Sequence, residues 1–152
     1  MLAPLYGLNF AYGSNLDTDQ MLARCPSAIL EGKVVLRGYR LEFFGAADVH
    51  IDPRSIVPAL AWRLSADDER ALDRREGVGQ DPGPNSYVKV PTVATDDTGA
   101  DIAGYIYVMT PHRRQRDLRR PIPDYVEHVL AGYRTFGFDM KILTEALARA
   151  ED

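Results

Sequence analysis

Along the first two-thirds of the chain the apolar residues come in short runs cut by turn residues, whereas the last third carries a sustained helical period. "LNFAY" (8–12) reads as a buried strand, and the polar stretch from Asp17 to Arg24 as a short helix with Met21 and Leu22 on one side, stopped by Pro26. "AILEGKVVLRGYRLEFFG" (28–45) holds two alternating runs, which predicts antiparallel strands joined by a turn near Arg37-Gly38. "SIVPALAWRL" (55–64) is a further strand, with Pro58 marking an edge or a bulge.

"SADDERALDRREG" (65–77) carries the strongest helix signals in the chain. Ser65 opens it three residues before Asp68, acids fill its first turn, Leu72 faces inward, arginines fill its last turn and Gly77 stops it. "YVKVPTVAT" and "IAGYIYVM" flank the turn-forming "DDTGAD" and form a hairpin. Two helices follow, one with Ile122, Tyr125, Val126, Val129, Leu130 and Tyr133 on its apolar face, the other with Met140, Leu143, Ala146 and Leu147. There is no repeat and no regular strand–helix alternation. The expected class is therefore α+β, a mostly antiparallel barrel or curled sheet with helices packed outside, in one domain spanning 1–152.

Composition narrows the functions open to such a fold. Apolar residues at 45% and charged residues at 26% match an ordinary soluble domain of 152 residues. A net charge of −4 argues against nucleic acid and anionic membranes as partners. No apolar segment approaches the roughly 20 residues of a membrane span, and the N-terminus lacks the basic flank of a signal peptide, so the expected location is cytoplasmic. His50, His112 and His128 have no ligand-like spacing, so no metal is expected. The one cysteine, Cys25, reads as a small buried residue. "HRRQRDLRR" (112–120), with five arginines, is a solvated loop or an anion-binding patch.

Two places offer chemistry. The turn Gly13-Ser14-Asn15, between strand and helix, can aim successive backbone N–H groups at a carboxylate or an oxyanion. It can equally be a plain capped turn, since Ser14-x-x-Asp17 fits a capping box. Glu76 stands at a helix C-terminus, where the macrodipole disfavours negative charge. It is either a general acid/base whose proton is held more tightly than usual, or a solvated acid paired with a neighbouring arginine.

"FAYGSNL", followed in order by "RCPSA", "LDRREGV", the "YVKV" strand and "YIYVMTP", resembles the γ-glutamylcyclotransferase-like family from about residue 8 to about 138. The resemblance implies a small mixed, mostly antiparallel β-barrel with flanking helices, and a cofactor-free enzyme. In it the α-amine of a γ-glutamyl amide attacks its own γ-carbonyl, releasing pyroglutamate and an amine. It makes Glu76 the catalytic acid/base and Tyr12, Gly13, Ser14, Asn15 and Leu16 substrate-binding residues, joined by Tyr87, Tyr107 and Tyr125. Each of these tyrosines could instead belong to the core. Tyr105, next to Tyr107 in the alternation, is expected on the other face of the sheet and is left out. The Gly- and Pro-rich stretch 77–86 is longer than the family's usual segment and bears on substrate choice and on the placement of Tyr87. The released amine stays open between an amino acid, a lysine side chain and a biosynthetic intermediate carrying a γ-glutamyl group. A non-catalytic binding module that retains the fold is the alternative. Oligomeric state is not fixed by the sequence, a homodimer being one option.

Overall fold

The structure, a computed structural model, describes residues 4–79, 87–111 and 117–150. Its elements in order are β1 (Leu8–Ala11), a 3-10 turn (Ser14–Leu16), α1 (Thr18–Arg24), β2 (Ile29–Phe43) and β3 (Ala47–Arg63). There follow α2 (Ala66–Arg75), β4 (Tyr87–Asp96), β5 (Asp101–Met109), α3 (Pro123–Phe136) and α4 (Met140–Arg149). The five strands close a barrel in the order β1-β3-β2-β4-β5. Every pairing is antiparallel except β1 against β5, where Asn9 faces Tyr105. This is the mixed, mostly antiparallel barrel with flanking helices that the family resemblance implies, and it decides between the barrel and the curled sheet that the pattern left open.

The break expected at Arg37-Gly38 is no turn between strands. β2 runs straight through it, and the register with β3 shifts between Arg37 and Tyr39. Gly38, at φ +82°, supplies the left-handed backbone the irregularity requires. The inward positions accordingly change phase, from Val34 and Leu36 before the shift to Leu41 and Phe43 after it. β3 also begins earlier than expected, at Ala47, and its register with β1 ends at Leu60, so Pro58 is reached on the β1 side by no ladder partner.

The core is a continuous cluster centred on Phe10, Trp62, Tyr105, Phe43 and Tyr133. α3 lies directly on the 3-10 turn, for a Cβ added at Gly132 would stand 2.3 Å from the Leu16 Cβ. Two inward assignments fail. Ile122 is 70% exposed because it is the N-cap of α3 rather than part of the helix. Leu22 is 44% exposed, since in a helix of under two full turns only Met21 reaches the core.

Candidate active site

α2 forms as its sequence dictates: the Ser65 side chain accepts the Asp68 amide at 3.1 Å, and Leu72 is buried. Glu76 is the C-cap residue, its amide bonded to the Leu72 carbonyl at 2.9 Å. Its own carbonyl accepts the Tyr87 amide at 3.0 Å, which stitches the end of α2 to the start of β4. Glu76 and Tyr87 are thus neighbours whatever the length of chain between them. Residues 80–86 lie outside the described residues, as does most of the arginine-rich stretch (112–116).

At the other side of the site, β1 runs into Tyr12 and then into one turn of 3-10 helix, closed by Leu16 N–H to the Gly13 carbonyl and Asp17 N–H to the Ser14 carbonyl, each 3.1 Å. The cap of α1 is Asp17, which accepts the Asp19 and Gln20 amides, so the capping-box reading of Ser14 is displaced by one turn. No intramolecular acceptor meets the amides of Gly13, Ser14 and Asn15 among the described residues. A Cβ at Gly13 would lie 2.9 Å from the Tyr125 hydroxyl and 3.0 Å from the Ala47 Cβ. Only glycine lets the backbone approach so closely.

These two segments meet. Glu76, the Tyr12–Asn15 turn, Tyr87, Tyr107 and Tyr125 all line one cavity of about 570 Å³. Of the residues expected in the site, Leu16 alone does not line it: Leu16 is fully buried beneath α3.

The phenols are held in place by the protein. Tyr12 donates to the Tyr107 carbonyl (2.6 Å), Tyr87 to the Ala47 carbonyl (3.1 Å) and Tyr107 to Asp73 Oδ1 (2.7 Å), while Tyr125 accepts the Ala47 amide (2.9 Å). Burial raises the Tyr12 phenol well above its usual range, and the acids around it, Asp48, Tyr87, Tyr125 and Glu76, push the same way. Tyr107 is raised too, first by burial, then by Tyr105 and Asp73. Three hydroxyl protons are therefore committed to protein acceptors, and these rings can offer oxygen lone pairs. Tyr105 is not on the opposite face. Its hydroxyl lies 3.4 Å from that of Tyr107, because residues two apart on a strand share a face.

Several residues at the site went unread in the sequence. Asp73 belongs to the inner stripe of α2, where Glu69, Leu72, Asp73 and Glu76 recur at the three- and four-residue spacing that marks one helix face. Lys89, its side chain 3% exposed, bonds to Glu69, to Asp73 Oδ2 at 3.1 Å and to the Pro4 carbonyl at 2.8 Å, and stands 4.6 Å from the Tyr105 ring centre. Glu69 also accepts the amides of Tyr6 (2.9 Å) and Gly7 (2.7 Å). The spacing was the available signal. Asn9 lines the cavity with its side-chain oxygen buried and without a partner among the described residues. Arg24 lines it as well, its Nη1 donating to Asn15 Oδ1 at 2.8 Å.

Among the described residues no group of three His, Cys, Asp and Glu side chains is placed to hold a metal ion, and no helix is long and apolar enough to cross a membrane. Cys25 is buried, and burial first, with Asp68 adding to it, pushes its thiol up to about 11, far from the thiolate a nucleophile requires.

The model of the family described as gamma-glutamyl cyclotransferase, AIG2-like, matches residues 9–127. The chain belongs to that family, and is an enzyme of the γ-glutamylcyclotransferase type. It is similar to the γ-glutamylcyclotransferase of Bos taurus, 26% identical over 146 residues that cover 88% of this chain and 73% of the relative. The Mus musculus protein of the same name is 28% identical over 142 residues, covering 86% and 71%. A solved structure named gamma-glutamyl cyclotransferase superposes with a TM-score of 0.79 at 24% identity, over 95% of this chain and 88% of that one. The crystal structure of an uncharacterized Homo sapiens protein gives 0.78 at 25% identity, over 93% and 86%.

Proposed function

We propose that the enzyme cleaves a γ-glutamyl amide by internal ring closure, releasing pyroglutamate and a free amine. The observation that carries this reading is the shared cavity: Glu76 at the end of α2 and the residues Gly13, Ser14 and Asn15 that follow β1 border the same space. The α-nitrogen bonds to the carbonyl carbon of the γ-glutamyl amide, the original amide C–N bond breaks, and two protons pass from the attacking ammonium nitrogen to the departing one. No water, metal or cofactor enters that balance. One carboxylate suffices to carry the protons, and Glu76 is assigned that role. The amides of Gly13, Ser14 and Asn15 are donors for the substrate carboxylate or for the oxyanion of the tetrahedral intermediate. The lone pairs of Tyr12, Tyr87 and Tyr107 suit an ammonium, and their rings exclude water from the closing rotamer.

The departing amine remains a choice among an amino acid, a lysine side chain and a biosynthetic intermediate, and the cytoplasm is the proposed setting. The test is to incubate the protein with γ-glutamyl derivatives of all three kinds and assay pyroglutamate, with Glu76→Gln as control. Release by the wild type and loss in the variant supports the reading. Silence of both across the panel refutes it.

A further inference from the structure

Arg24 carries a guanidinium that the reaction so far leaves unused. It is the last residue of α1, half-buried, and lines the cavity beside the Tyr12–Asn15 turn. One N–H is taken by Asn15 Oδ1 at 2.8 Å, and no carboxylate of the described residues comes within 4.0 Å of it. Burial lowers its pKa most, with Arg75 acting in the same direction, while Glu76 and Tyr125 oppose them, so those groups lie within its electrostatic reach. A half-buried guanidinium with one N–H tethered and, among the described residues, no carboxylate in direct contact keeps donors open to an anionic ligand. Its remaining N–H groups form a planar fork suited to a carboxylate.

In a γ-glutamyl substrate the carboxylate and the attacking amine sit on the same carbon. An amine within reach of Glu76 therefore brings its carboxylate close to whatever stands beside Glu76. We propose that Arg24, held by Asn15, is the receptor for the α-carboxylate of the γ-glutamyl unit, which leaves the Gly13–Asn15 amides for the oxyanion. The inference rests on the cyclisation reading and resolves the alternative left within it. Arg75 borders the same cavity but is solvent-exposed and lacks such a tether, so it is the weaker receptor.

The test compares γ-glutamylalanine with the same compound whose glutamyl α-carboxylate is a carboxamide, using wild type, Arg24→Gln and Arg24→Lys. Binding of pyroglutamate and of its amide is followed in parallel by calorimetry. Arg24→Gln should lower kcat/KM for the carboxylate substrate about 10- to 100-fold, weaken pyroglutamate by a similar factor, and leave both amides within about threefold. Arg24→Lys, with the charge but not the fork, should fall between. Equal losses on carboxylate and amide, or unchanged pyroglutamate affinity, overturn the assignment. So does a wild type that does not distinguish the two ligands, a comparison that holds even if a variant fails to fold. Should the wild type cleave none of the γ-glutamyl panel yet bind pyroglutamate through Arg24, the receptor stands and the cyclisation reading falls.

Discussion

Asp73 and Tyr107 are joined across α2 and β5 by a 2.7 Å hydrogen bond in which the phenol gives up its only hydroxyl proton. With that proton committed, the 3.4 Å contact between the two tyrosine hydroxyls can only be donated by Tyr105. The direction of every bond around Tyr107 is thereby fixed. If Asp73 serves the reaction by orienting Tyr107, Tyr107→Phe and Asp73→Asn should each reduce kcat/KM about tenfold, and the double variant should be no worse than either. Steady-state kinetics of the three variants checks this. Multiplicative losses would mean that Asp73 acts otherwise.

Lys89 stands against two buried carboxylates, Glu69 and Asp73. Lys89→Met should cost about 3–5 kcal/mol in chemical denaturation, because it strands negative charge in the interior. Adding Glu69→Gln should return part of that loss, which would not happen if the lysine mattered only for packing.

Asp17 ties the turn to α3 through His128 Nδ1 at 2.7 Å while its other oxygen caps α1. Partial burial pushes its carboxyl up, but the His128 bond and the Gln20 and Asp19 amides outweigh it and hold the group below the usual carboxylate range. A group with a lowered folded-state value stabilises above its unfolded value of about 3.9, and that contribution is lost as pH falls through the folded one. Unfolding free energies of wild type and Asp17→Asn, from chemical denaturation, should thus differ most at neutral pH, by about 1 kcal/mol or more, and converge toward pH 3.

Gly13 has no room for a side chain. Gly13→Ala should lower kcat/KM about tenfold or more and cost about 1–3 kcal/mol of stability, since the Ala47 Cβ cannot swing away. Combining it with Tyr125→Phe removes the nearer obstacle and should restore part of the stability without restoring activity.

The sequence made much of the barrel legible because its strands follow simple rules. Leu8–Ala11 is an apolar run broken only by Asn9 and ending at a turn, and the β4–β5 hairpin brackets a turn containing Gly99. Gly38 was misread because a left-handed glycine serves a turn between strands and a bulge within one equally, and only the partner strand decides. Glu76 and the Gly13 turn could be singled out from rules of helix ends and turn residues. Asp73 and Glu69 could not, since acids on a helix ordinarily mean a solvated face. Only their spacing with Leu72 marks them as inward. Arg24 escaped notice for a similar reason: a cation in the last turn of a helix is what the macrodipole favours, so its presence there raised no question.

The account depends on one substrate touching both the Gly13–Asn15 amides and Glu76. The most direct measurement is a crystal structure of the protein with bound pyroglutamate. The account predicts the ring carbonyl oxygen within hydrogen-bond distance of those amides and the ring nitrogen facing the Glu76 carboxylate. A ring seated elsewhere, or one in this cavity touching neither group, would contradict it.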